Sequence, residues 1–436
     1  MKRKTRAGVL SPDKRGKHPP GNKKSEETVH AMQDFLERFP KYKSHYSADT
    51  SKLYFHPHLT KKKIFEMYLE IHSDKKVSYS KFMQEFKKYK VSIYVPRKDT
   101  CAKCDSHEAL RRSNPTVEQL EIMEKESQDH KDRVRAARQD LTRAKEASKT
   151  CQNTLFFTFD MEQNQPLPFI NTSVAFYKRQ LSMHNFGIHT LHNKQGHMCL
   201  WTEAEGKRGA NEVASSLHSF LDKEGEGYEN LVSFSDACGG QNRNKIVTAY
   251  FMYLCHTSPI KSWTHSFLES GHTFLPNDTD FGKIEKKKKD QIGLYCFEDY
   301  VSLIKKCKFN VIRMENKFKD FAQLTNILKF RKFNESNAKF SWLQLKKLRV
   351  TCENFVLQYK YSCREDEQWQ SINLSNLSTD IEIDLAVLYP NGIKVKNEKY
   401  RDIMSLLPYI PSVHHDFFLK LKNEESHDDE LEEFLE

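Results

Sequence analysis

From Ser25 to about Pro96 the apolar residues recur at helical spacing. They fall in three sets: Val29, Met32, Phe35 and Leu36; Ile64, Phe65, Tyr68, Leu69 and Ile71; and Phe82, Phe86 and Tyr89 after Ser78, an N-cap residue. An all-α region follows from this pattern, its last two helices joined by the polar turn His72–Lys76. That arrangement suits a helix-turn-helix whose recognition element, Tyr79–Tyr89, carries Lys81, Lys87 and Lys88. A plain three-helix bundle with basic outer faces is the alternative. From Thr116 to Lys149 dense alternating charge surrounds a sparse stripe (Val117, Leu120, Met123, Val134, Leu141), which predicts one long coiled-coil-like helix serving as a spacer or dimerisation arm.

The pattern changes period after Leu155. LFFTFD (Leu155–Asp160) is a short apolar run ending on a carboxylate, as expected of a buried strand. Leu181–His192 and His197–Trp201 alternate and read as a hairpin turning near Asn193–Gly196. Gly209–Leu221 is helical, and LVSFSD (Leu231–Asp236) is a second buried strand ending on an acid. Asn244–Leu254 reads as a helix, Lys261–Glu269 as a strand, and Asp280–Lys289 opens a helix. The order β-β-β-α-β-α-β-α is that of an α/β, ribonuclease-H-like mixed-sheet core. In that fold the first and fourth strands are neighbours, which would bring Asp160 and Asp236 together.

A third acid is expected on the helix after the fifth strand. There the sequence NDTDFGKIE offers Asp278, Asp280 and Glu285, and Asp278 and Glu285 share a face if the helix starts early. Carboxylates converging from separate elements hold two hard cations, Mg²⁺ or Mn²⁺, roughly 3.5–4 Å apart, which activate a water or 3′-hydroxyl and stabilise the leaving oxygen on phosphorus. A lone strand-end Asp is more often a cap or turn residue. Two of them in this element order, followed by an acid cluster, point to phosphodiester chemistry.

Several segments carry a resemblance: DTCAKCD, FFTFDMEQNQPLP, NFGIHTLH, WTEAEGKRGANEV, SDACGGQNRN, GHTFLPNDTDFGKIE and LPYIPSVHHDFF, in order over roughly residues 45–420. They resemble a large family of transposase-derived proteins repeated in many animal genomes. The resemblance implies a DDE/DDD transposase core, with Asp160 and Asp236 as the first two acids and Asp278 or Asp280 as the third, Glu285 close behind. It also implies cutting and joining of DNA by a homodimer or higher oligomer. A catalytically silent, domesticated DNA-binding nuclear protein is the alternative, and an RNA-binding protein a further one.

Other polar residues add candidates. Gln241, Asn242, Arg243 and Asn244 in GGQNRN are placed to contact DNA, or the amides to orient Asp236 or cap a helix. His272 is either a site ligand or phosphate donor or a structural histidine, and Glu212 either a fourth metal-site acid or a solvated one. Cys101 and Cys104, in CxxC spacing, suggest half of a structural Zn²⁺ site, to be completed by His107, His130 or an upstream histidine (His45, His56 or His58); free thiols or a redox pair are the alternative.

Charge refines the picture. The net charge is +11, yet residues 1–100 hold 24 Lys and Arg against 11 Asp and Glu. A basic first quarter suits phosphate neutralisation, although lysine-rich faces are also simply solvated. The MKRKTR start suits nuclear import. No apolar run approaches the ~18–20 residues of a membrane span, so no membrane partner is expected. Ten cysteines without a secretory leader suit reduced thiols and one metal site. The expected organisation is a basic arm (1–25), a helical DNA-binding domain (26–98), the CxxC site and long helix (99–150), the catalytic core (151–290), a C-terminal α/β extension (291–422) and an acidic tail (423–436).

Overall fold

The computed structural model describes residues 24–39, 41–43, 53–55, 59–89, 91–93, 100–374 and 384–425. The basic arm up to residue 23, the acidic tail from residue 426, and His45, His56 and His58 lie outside these residues. The chain divides into two compact units, Met1–Thr100 and Cys101–Glu436.

In the first unit α1 (Glu26–Glu37), α2 (Lys61–Ile71) and α3 (Tyr79–Lys88) start where Ser25, Thr60 and Ser78 accept a bond from a first-turn amide. Their apolar stripes, with Phe55 and Val91, close one core around Met32, Phe35, Tyr68 and Phe82. The region is not all-α as expected. Between and after the helices run β1 (Tyr42–Lys43), β2 (Leu53–Phe55) and β3 (Ser92–Ile93), with β1 antiparallel and β3 parallel to β2. These strands are too short for periodicity to announce them.

The second unit opens with α4 (Ala102–Arg112) and α5 (Val117–Ala147). The core strands and helices follow in the expected order: β4 (Thr154–Met161), then β5 (Gln165–Leu167), β6 (Phe169–Ile170) and a short α6 (Ser173–Phe176), then β7 (Leu181–Thr190), β8 (Gln195–Thr202), α7 (Ala210–Glu224), β9 (Asn230–Ser235), α8 (Lys245–Thr257), β10 (Ser262–Phe267) and α9 (Pro276–Lys289). Beyond these come β11 (Gly293–Leu294), α10 (Phe297–Lys306), β12 (Asn310–Arg313), α11 (Leu324–Ile327), β13 (Lys347–Thr351), β14 (Val356–Lys360), β15 (Gln370–Asn373), α12 (Asn397–Met404) and α13 (His415–Leu419).

Ten strands make one mixed sheet in the order β12-β8-β7-β4-β9-β10-β13-β14-β15, with β5 paired to β7. Its centre has β7 antiparallel to β8 and β4, and β4, β9 and β10 parallel to one another. Counted along the chain from β4 without the short β5 and β6, the five central strands lie in the order 3-2-1-4-5. The strands of the C-terminal α/β extension join this sheet: β12 extends one edge and β13–β15 the other.

Alternation along β4 sorts the two faces of the sheet. Phe157 and Phe159 pack under α7 and α8 with Trp201, Tyr250 and Trp263. Phe156 points the other way, to Ala137, Leu141 and Ala144 of α5. The long helix is therefore not a free arm in its C-terminal half. It covers the sheet, and its Asp140 accepts from Ser266 Oγ (2.8 Å) and Lys347 Nζ (2.7 Å).

α9 lies on the same face as α5. Asn277, fully buried, accepts from Thr158 Oγ1 (2.6 Å) and donates to the Gly187 carbonyl (2.8 Å). Phe281 fills the space above Gly187, where a Cβ would come within 2.7 Å of its ring. Gly187→Val should lower stability by about 1–3 kcal/mol, as overpacked cores do, measured by chemical denaturation against wild type. An unchanged midpoint would mean that α9 does not seat on this glycine.

Candidate acidic site and metal centre

The paired register fixes the first two acids. Thr158 of β4 stands opposite Phe234 of β9. Asp160 and Asp236 each lie two residues further on, at the carboxyl ends of adjacent parallel strands spaced about 4.8 Å apart. The Asp160 carboxylate accepts from the Met161 amide (2.8 Å). Asp236 is held by the turn that follows: the Cys238 amide (3.3 Å) and Asn242 Nδ2 both donate to its Oδ1.

The candidates for a third acid lie on α9. The sequence pattern opened this helix at Asp280; it starts four residues earlier, at Pro276, a residue suited to a first helical turn. That puts Asp278 in the first turn. Burial, then the charge of Asp236, then that of Asp278 push the Asp160 carboxyl up to about 7, opposed by the Met161 amide and least by Arg208. Asp160, Asp236 and Asp278 thus share one electrostatic environment.

The other two candidates on α9 go elsewhere. Asp280 is buried, accepts from His189 Nδ1 (2.6 Å) and pairs with Lys283 (3.2 Å), so it anchors α9 to the β7–β8 hairpin. Glu285 accepts from Gln165 Nε2 (2.8 Å) and Lys288 Nζ (2.7 Å). Its charge acts on Glu162, two residues beyond Asp160 on the same strand face. Glu162 accepts from Asn185 Nδ2 (2.8 Å), and burial first and Glu285 next push its carboxyl up to about 7.

The polar residues after Asp236 face inward. Gln241 donates to the Arg208 carbonyl (3.3 Å), Asn242 orients Asp236, Arg243 donates to the Leu345 carbonyl (3.5 Å), and Asn244 caps α8 through the Ile246 and Val247 amides (both 3.0 Å). Glu212 is neither a site acid nor solvated. It is buried and accepts from the Gly209 amide (2.8 Å) and from Tyr389 Oη. In α3, Lys81 and Lys88 both bind the buried Glu85 (3.0 Å each), and Lys87 and Lys88 are exposed. Arg208, which donates to the Glu162 carbonyl (2.8 Å), escaped the sequence reading, as did Glu162 and Asn277. All three lie within the motifs WTEAEGKRGANEV, FFTFDMEQNQPLP and GHTFLPNDTDFGKIE.

A second constellation is drawn from α4, α5 and the loop before α9. Cys101 caps α4, Cys104 sits in its first turn, His130 projects from α5, and His272 comes from the loop between β10 and α9. Cys101 Sγ lies 3.3 Å from His130 Nε2, Cys104 Sγ 3.4 Å from His272 Nε2, and the two Nε2 atoms 3.3 Å apart. All four ligand atoms fall within 4.8 Å of one another. Ligands placed tetrahedrally at zinc bond lengths sit roughly 3.3–3.7 Å apart, so the donor set and its spacing fit one such cation. Of the expected ligands Cys101, Cys104 and His130 converge. His107 does not: its ring faces Glu126 (3.8 Å), and His272 takes its place. Gly271 makes this approach feasible, with φ +77° and a position where a Cβ would lie 2.6 Å from Cys101 Cα.

Burial and the Cys101 thiol push the Cys104 thiol up to about 12, and burial holds His130 below its ordinary value, in the neutral form a metal requires.

Residues 176–364 match a family model described as a domain of unknown function (DUF7869). The match spans Asp236, His272, Asp278, Asp280 and Glu285, and leaves out Asp160 and the α4–α5 ligands. No curated protein matches, and no solved structure matches either.

Two measurements follow from this geometry. Asp160 keeps a proton up to about pH 7 in the fold but only to about 4 when unfolded. Between those values the folded state holds more protons, so stability falls as pH rises. Asp160→Asn should therefore stabilise the metal-free protein at pH 8 by on the order of 2 kcal/mol and flatten its stability from pH 4 to 7. A variant less stable than wild type at pH 8 would show that the acids do not repel. Cys104→Ser should lose one bound metal ion and lower the unfolding midpoint by roughly 5–10 °C, read by elemental analysis and calorimetry. Unchanged metal content would remove the centre.

Proposed function

We propose that residues 151–290 form a ribonuclease-H-like catalytic core that cuts and joins DNA phosphodiesters, as in transposases, using two Mg²⁺ or Mn²⁺ ions. The observation that carries this reading is the 3-2-1-4-5 strand order with Asp160 and Asp236 ending strands one and four. The helix after strand five supplies Asp278, whose charge reaches Asp160.

Asp160, Asp236 and Asp278 would hold the cations, with Asp278 preferred to Asp280 and Glu285 because those two are engaged with His189 and with Gln165 and Lys288. When bound, the ions supply an activated water or 3′-hydroxyl and neutralise charge on the leaving oxygen. The site fits this role: burial and the charges of Asp236 and Asp278 disfavour ionisation of Asp160, and a divalent cation removes that penalty. Asn242 fixes the Asp236 carboxylate from behind. Gly239 and Gly240 keep the adjoining ledge bare; neither is strained, and a Cβ on either would touch nothing within 4 Å.

Two further features favour a nucleic-acid substrate. The end of α6 exposes Phe176 and Tyr177, rings 5.2 Å apart, next to Lys178 and Arg179, which both reach Asp402 (3.3 and 3.4 Å). Exposed aromatics beside cations suit stacking on bases. The first unit, with Lys87 exposed on α3, is the proposed element-end DNA reader. Zinc is the proposed occupant of the Cys101–Cys104–His130–His272 centre, which would staple α4 and α5 to the loop ahead of Asp278. A nuclear location and a homodimer that joins two DNA ends complete the reading.

Supercoiled plasmid and terminal-repeat DNA incubated with Mg²⁺ or Mn²⁺ test it. Wild type should cleave. Asp160→Ala, Asp236→Ala and Asp278→Ala should each lose about 10³-fold or more, while Glu285→Ala stays within about tenfold. Wild type that binds DNA without cleaving would replace this reading with the silent DNA-binding protein. Loss of activity with Glu285 but not with Asp278 would reassign the third acid.

A further inference from the structure

The start of α10 is built unusually for a helix cap. Cys296 is its N-cap residue, and Asp299 reaches back to accept from the Tyr295 amide (2.7 Å) and the Cys296 amide (3.2 Å). The Glu298 and Asp299 amides in turn point at the Cys296 sulfur. Against this turn stands His414, from the short helical turn Ser412–His414 near the other end of the unit, its ring stacked on Tyr295 at 5.4 Å and 22°. Ligand atoms of Cys296, Asp299 and His414 all lie within 4.8 Å of one another.

We propose that Cys296, Asp299 and His414 form a second transition-metal site, distinct from the Cys101–Cys104–His130–His272 centre, that takes one Zn²⁺-class divalent cation. One thiolate, one imidazole and one carboxylate are the donor types zinc accepts at three protein positions, leaving a fourth for water. A thiolate ligand disfavours Mg²⁺ and Ca²⁺, which take oxygen. The surroundings are arranged as at metal sites. Two amides orient the Asp299 carboxylate toward the cluster.

The simpler account is a capping box alone. It accounts for Cys296 and Asp299 and leaves His414 only its stacking on Tyr295, since that residue caps nothing in α10. Its neighbour His415 is already committed to the Ile410 carbonyl (2.9 Å). A shared cation explains why the segment LPYIPSVHHDFF, otherwise outside the acidic site, brings a histidine to this helix start. It would tie the C-terminal segment to α10, whose Tyr300 donates to the Pro166 carbonyl (2.9 Å).

The test counts metal in the full chain purified with Zn²⁺ and dialysed, and then follows Co²⁺ substitution. Two zinc ions per chain are expected, falling to one in Cys296→Ser and in His414→Ala. His414→Ala removes a partly exposed side chain, so it serves where the cysteine variant fails to fold. In the Co²⁺ form both variants should keep the strong sulfur-to-metal absorption of a two-thiolate centre, whereas Cys104→Ser should leave the weaker one-thiolate band. A His414→Ala protein holding as much zinc as wild type would overturn the proposal. So would a wild type that binds one ion, lost with Cys104→Ser.

Discussion

The crowding of negative charge at the carboxyl ends of β4 and β9 is the constraint to which the second unit answers. Parallel pairing of the two strands sets Asp160 beside Asp236, and α9 adds Asp278. Nothing about like charges favours that arrangement. It persists because the side chains that seat α9 are apolar or fully bonded. Phe281 covers Gly187, Asn277 joins β4 to β7, and Asp280 pins the helix to His189. Each of these contacts sits within one turn of Asp278, so the packing that stabilises the sheet also fixes the acid.

The metal centre extends the same logic to the loop that precedes α9. His272 is pulled onto Cys104 and His130 six residues before Asp278, and Gly271 has the only side chain small enough for that approach. α5 contributes to both ends of the arrangement, with His130 in its middle and Ala137, Leu141 and Ala144 against the sheet. A cation there would restrain the chain on which the third carboxylate depends, without touching a substrate. Repulsion at the acids is relieved in turn by hydrogen bonds to Asp236, by a proton on Asp160 in the metal-free state, and to a small degree by Arg208.

Much of this was legible in the residues, and the remainder was hidden for identifiable reasons. Buried strands ending on Asp160 and Asp236 stand out because both faces of β4 and β9 are covered, which makes their sequences continuous apolar runs. The turn of β7 into β8 and the cap at Asn244 follow from local turn and cap chemistry. The third acid was ambiguous because NDTDFGKIE carries acids on several faces of a helix. Only the start at Pro276 and the partners of Asp280 and Glu285 distinguish them. Cys101, Cys104 and His130 were within reach as ligands. His272 was not, since nothing local links a loop residue to one 142 positions earlier. GGQNRN left DNA contact, orientation of Asp236 and a helix cap all open, and the bonds of Asn242 and Asn244 match the last two. The short strands of the first unit gave too few alternations to register, and those of the α/β extension too few to show that β12–β15 join the central sheet.

The central claim is that Asp160, Asp236 and Asp278 together form a divalent-cation site. Anomalous diffraction from crystals soaked in Mn²⁺ tests it most directly. The account predicts manganese peaks coordinated by these three carboxylates, absent from crystals of Asp160→Asn. Manganese at Asp280, or no peak between β4, β9 and α9 at saturating concentration, would contradict it.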